Sequence, residues 1–95
     1  MDWNRRVIKM TWYKVEIEAE LVLFIDAPDS ETKETGVTKY VLGYESVWDE
    51  YEVDTDSIDK ATDRATDRFN KEYTDEYREI MDDSLKIEVA EIKVD

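Results

Sequence analysis

A chain of 95 residues, 41% hydrophobic and 12% aromatic, can fill one modest core, so a single domain over residues 1–95 is expected. It holds no Cys and no His, which removes disulfides, thiolate and imidazole metal sites and histidine acid–base chemistry; no catalytic residue, metal ligand or cofactor is assigned. The formal net charge of −13 disfavours direct binding to nucleic acid or an anionic membrane and points to a basic partner.

Charge is unevenly spread. Residues 1–15 carry Arg5, Arg6, Lys9 and Lys14 against Asp2 alone, a net of +3, which leaves −16 downstream. Residues 1–10 read as a flexible basic arm or as a first strand containing Val7 and Ile8. The longest apolar run, Leu21 to Ile25, is too short to span a bilayer, and no signal-like segment opens the sequence, so a cytosolic protein is expected.

From Trp12 the chain alternates strictly. Tyr13, Val15, Ile17, Ala19, Leu21, Leu23 and Ile25 take one face, and Lys14, Glu16, Glu18 and Glu20 the other, as in a half-buried strand. Val22 and Phe24 then make the polar face apolar, which predicts a cover on that side, a second copy in a homodimer being one candidate. Asp26 to Gly36 has no periodicity and reads as a connecting loop. Val37 to Val53 reads as a second strand, with Tyr40, Leu42, Tyr44 and Trp48 on one face, Val41 and Val47 on the other, and a bulge or bend at Gly43.

Asp56 to Ser84 reads as one long amphipathic helix. Ile58, Ala61, Ala65, Phe69, Tyr73, Tyr77, Ile80 and Met81 follow at helical intervals, and Asp56 with Asp59 resembles a capping box, with Ser57 as the rival cap. Its four-residue repeat lines up Asp59, Asp63 and Asp67 beside Lys60, Arg64 and Arg68, a solvated face with local ion pairs. Leu85 to Val94 reads as the last strand, with a bulge near Val89 and Ala90 to reconcile its shifting apolar set. The expected fold is therefore α+β: a three-stranded antiparallel sheet, β-β-α-β in order 2-1-3, with one long amphipathic helix on one face.

Two metal motifs fail on their spacing. Asp54 to Asp59 starts like a calcium loop, but Ile58, Asp59 and Ala65 occupy positions that need a ligand, a glycine and a closing glutamate. Pro28-Asp29 with Glu91-Ile92-Lys93 resembles a magnesium nuclease pattern, but a long helix separates elements that should lie on adjacent strands.

The run from Tyr44 to Asp59 stands out: Glu45, Asp49, Glu50, Glu52, Asp54, Asp56 and Asp59 with no Lys or Arg between them, and Trp48 and Tyr51 as candidate anchors. With Asp63 and Asp67 these residues are the expected partner-binding set. A short, cysteine-free chain of this character resembles the small acidic phage-encoded inhibitors of restriction and CRISPR nucleases that imitate DNA. The resemblance implies a viral, non-enzymatic protein that occupies the positively charged channel of a DNA- or RNA-guided nuclease in the bacterial host cytosol. A phage assembly protein or a homo-oligomeric adaptor is the alternative, motivated by the apolar stretch at Val22 and Phe24.

Overall fold

The alternation from Trp12 produces a long, uninterrupted half-buried strand, and it becomes the centre of the sheet. The computed structural model describes residues 11–92, as strands β1 (Thr11–Asp26), β2 (Lys39–Thr55), β3 (Arg78–Ile80) and β4 (Lys86–Ile92) and helices α1 (Asp29–Thr35) and α2 (Ile58–Tyr73). The architecture is α+β, with a four-stranded antiparallel sheet in place of three strands and two helices in place of one. β1 pairs with β2 along its whole length, and β3 and β4 share its other edge. The last strand thus lies beside the first, as the 2-1-3 order requires. The basic segment 1–10 and Val94 lie outside the described residues.

The core forms between α2 and one face of the sheet. Tyr13, Val15, Ile17 and Ala19 of β1 and Val53 of β2 meet Ala61, Ala65 and Phe69 of α2, all buried. Two alanines at the start let the helix approach closely, and the Phe69 ring fills the widening gap, 4.7 Å from the Tyr73 ring centre. Sixteen helical residues span about 24 Å, whereas a sixteen-residue strand spans about 53 Å, so α2 covers only half of the β1–β2 hairpin.

Ser57, not Asp56, caps α2: its hydroxyl accepts from the Lys60 amide at 3.2 Å, and Asp56 instead pairs with the Lys60 ammonium at 3.1 Å. α2 ends at Tyr73 rather than at Ser84. Thr74 is extended, with its hydroxyl on the Asn70 carbonyl at 2.6 Å, and Asp75 accepts from the Tyr77 amide at 2.8 Å in a tight side-chain turn. Residues 78–80 then gain ladder partners at Leu21–Leu23 that a continued helix could not offer. Tyr77, Ile80 and Met81 follow helical spacing without being helical.

The expected loop at Asp26 to Gly36 contains α1. Pro28 precedes it, Asp29 and Glu31 occupy its first turn, Lys33 its last, and Gly36 closes it in the left-handed conformation at φ 76°. The predicted irregularity at Gly43 is present: Leu23 faces Gly43 but Phe24 faces Val41, so Leu42 is the extra residue. The bulge reverses the faces beyond it, which separates Tyr40 from Tyr44 and Trp48 and puts Val41 with them. β4 has no bulge: its register against β1 is unbroken from Lys86 to Ile92, so Ala90 and Ile92 lie on the face away from α2, opposite Lys14 and Trp12.

Candidate functional site

The face of the sheet that α2 does not cover gathers carboxylates from three strands. Register places Asp54, Trp12 and Ile92 on the first rung; Glu52, Lys14 and Ala90 on the second; Glu50, Glu16 and Glu88 on the third; Trp48, Glu18 and Lys86 on the fourth; and Ser46 and Glu20 on the fifth. Seven carboxylates and two ammonium groups on these rungs give a net charge of −5 over about 27 Å, against about eight phosphates over the same length of one DNA strand.

The third rung is the most loaded. Glu16 has Glu50 directly opposite on one side and Glu88 on the other, like-charge pairs that cost a few tenths of a kcal/mol to about 1 kcal/mol each. Lys14 offsets part of this, at 3.4 Å from Glu16 and 3.8 Å from Glu50, at a site exposed enough for water to weaken both pairs. Among the described residues no three carboxylates are placed to hold a metal ion. Beside the rung, Glu16, Glu18, Glu88, Trp48 and Lys86 line a shallow recess of roughly 100 Å³. Trp48 is 54% exposed there, an aromatic face amid acids, suited to a guanidinium or ammonium group.

The structure divides the residues expected to bind a partner. Trp48, Glu50, Glu52 and Asp54 share the open face; Glu45 lies on the other face, opposite Leu21, and is exposed. Asp59, Asp63 and Asp67 are exposed on α2, on the opposite side of the sheet from that face, so the expected partner-binding set is split between two surfaces. The counter-ions also differ from those the sequence suggested. Lys14 serves Glu50, Lys60 serves Asp56, and Arg64 donates to the Asp54 carbonyl at 3.1 Å; none of the ion pairs among the described residues includes Asp63 or Asp67.

Asp49 and Tyr51 are structural. Asp49 accepts from the Tyr73 hydroxyl at 2.8 Å, from its neighbouring Glu50 amide at 2.8 Å and from Tyr51 at 3.4 Å, while the Tyr51 hydroxyl also donates to Glu72 at 2.9 Å. This clasp ties the middle of β2 to the end of α2. With the Glu50 amide on Asp49 and Arg64 on the Asp54 carbonyl, side chains engage two backbone groups of β2, which among the described residues is an edge strand, and so blunt it against stray pairing.

The Tyr73 hydrogen bond, followed by that of the Glu50 amide, holds the Asp49 carboxyl below its ordinary 3.8, and the same bond pushes Tyr73 up to about 12. Burial, then Glu72, raises Tyr51. A lowered carboxyl contributes stability that is present above its unfolded pKa and lost as pH falls through the folded one; a raised phenol contributes stability present below pH 10 and lost as pH rises towards 12. Tyr73→Phe is therefore expected to flatten the stability profile at both ends, below pH 4 and above pH 10, in urea unfolding measured across pH. An unchanged acid limb would show that the clasp does not set it.

Compared with protein families, curated proteins and solved structures, the chain matches none. Among the described residues no helix is long and apolar enough to cross a membrane. From sequence, Glu16, Glu18 and Glu20 were legible only as the polar side of one strand, and Glu88 was missed. Their signal was the strand order: once the last strand lies beside the first, its alternate acid must share their face.

Proposed function

We propose that the chain is a non-enzymatic acidic binder that occupies the positively charged nucleic-acid-binding surface of a host defence nuclease, DNA- or RNA-guided, and blocks access of DNA. The observation that carries this reading is the open sheet face, where register keeps Glu16, Glu50 and Glu88 side by side despite their mutual repulsion. Side chains held by a three-strand ladder present charge at fixed spacing, so a partner's Arg and Lys residues meet a preorganised array and form charge-assisted pairs. The test is competition: the protein is expected to displace duplex DNA from a basic nuclease, and to lose that ability steeply as salt rises.

A second reading, an assembly or homo-oligomeric adaptor, is favoured by the half of the hairpin that α2 leaves uncovered. Ile25, Val41, Leu42 and Tyr44 are exposed there, Leu42 by 65%, next to half-buried Val22 and Phe24. On this reading, sedimentation at micromolar concentration shows a dimer that Phe24→Glu converts to monomer. A wild-type monomer at that concentration removes it.

A further inference from the structure

We infer that the open face takes a partner segment of two parts, a basic stretch on the acidic rungs followed by an apolar or aromatic anchor on Val22, Phe24, Val41 and Tyr44.

Register carries this face past the fifth rung. Val22, Tyr44 and Glu79 form a sixth, and Phe24 and Val41 a seventh, on the same side of the sheet as Glu16, Glu50 and Glu88. Tyr77 extends it: its carbonyl accepts from the Phe24 amide at 2.8 Å, and its hydroxyl donates to Asp26 at 3.0 Å. The face thus changes from carboxylate to apolar within one rung, about 7 Å, between Glu20 and Val22. Tyr44 is 62% exposed and Val41 53%; α2 packs on the other side of the sheet, so nothing among the described residues covers them.

Charge at the margin of the apolar rungs decides what covers them. Lys39 is turned across the Tyr77 ring, 5.1 Å from its centre, with its ammonium on the Glu76 carbonyl at 2.7 Å, so exposed Glu20 and Glu79 are left beside the apolar residues. Two copies meeting patch to patch would bring these carboxylates together in a chain of net charge −13. A basic segment with an apolar end meets opposite charge and then apolar surface, in that order.

This partner chemistry rests on the function proposed above and narrows it, because the basic groove that the chain occupies must border an apolar site. The two halves then have separate effects. Carboxylates set the salt dependence of binding, and the apolar rungs add an increment that salt does not screen.

The probes are octa-arginine and the same peptide carrying Phe-Leu-Phe at its amino or its carboxyl end, each titrated onto the full chain. Eight extended residues span about 27 Å, the length of the five acidic rungs, so the added residues reach the sixth and seventh. One of the two extended peptides is expected to bind about tenfold tighter than octa-arginine, by the same ratio at about 0.1 M and about 0.3 M salt, while every affinity falls. Tyr44→Ser with Val41→Ser, at side chains that reach solvent, should cut that gain to about twofold and leave octa-arginine binding unchanged. Reversing Glu50 and Glu52 to Lys should instead weaken all the peptides and keep the ratio.

Equal binding by the extended and unextended peptides overturns the inference, as does a gain that survives the Tyr44, Val41 double substitution. So does a wild-type dimer in sedimentation that this double substitution turns to monomer, which gives the patch to a second copy. Failure to inhibit any nuclease leaves the peptide ratios intact and removes only the proposed function. Inhibition without the gain removes only the apolar anchor.

Discussion

Phe69→Ala is expected to lower the unfolding free energy by about 3–5 kcal/mol in urea denaturation, the largest effect expected of a single truncation among the described residues. Phe69 is fully buried and is the largest such side chain among the described residues; it stands where α2, β1 and β2 meet, with the Tyr73 ring tilted against it, centres 4.7 Å apart. Its neighbours Ala61 and Ala65 are too small to move into the vacated volume, and Val15, Ile17 and Val53 are fixed by the ladder, so the cavity stays open. A domain of this size has about 5–15 kcal/mol in total, so the variant would sit near the edge of folding. A loss under about 1 kcal/mol would mean that α2 presents another face to the sheet.

The face that α2 buries was legible because its period is local. Ala61, Ala65 and Phe69 are four apart, and one helix satisfies all three; the alternation of β1 and the irregularity at Gly43 were legible for the same reason. The end of α2 was not. Tyr77 and Ile80 keep helical spacing by coincidence, and the decision falls to the Thr74 and Asp75 side chains and to the distant edge of Leu21–Leu23. Short polar side chains that bond their own backbone compete with helix, and the Thr-Asp pair was the available signal. The charged face was least visible. Asp49 and Glu50 are neighbours in sequence, yet one clasps α2 and the other faces solvent on the opposite side, because a strand sends successive side chains to opposite faces. An acidic run along a strand is thus two half-runs. The interaction surface comes from adding the matching half-runs of β1 and β4, which only the register supplies.

Reversing Glu50 and Glu52 to Lys is expected to abolish competition with DNA for a basic nuclease at physiological salt, with the fold intact. Both are on the open face and reach solvent, and the double reversal changes its net charge from −5 to −1, spread over the whole array. It also puts one ammonium group on the third rung, beside Glu16, where it screens that carboxylate from any incoming cation. The other stands on the second rung directly opposite Lys14, so the partner's Arg residues meet repulsion where they met attraction. Reversing Asp63 and Asp67 makes the same change in net charge on the far side of α2 and should cost much less, which separates the face from the overall charge of the molecule. Glu16→Gln offers the complementary sign. Removing the central carboxylate relieves two like-charge contacts, so stability should rise by a few tenths of a kcal/mol while binding falls. A rung kept for folding would lose stability on that substitution; a rung kept for a partner gains it. Full competition by the Glu50, Glu52 double reversal, or binding that is indifferent to salt, would move the interaction to the exposed apolar end of the hairpin at Val41, Leu42 and Tyr44.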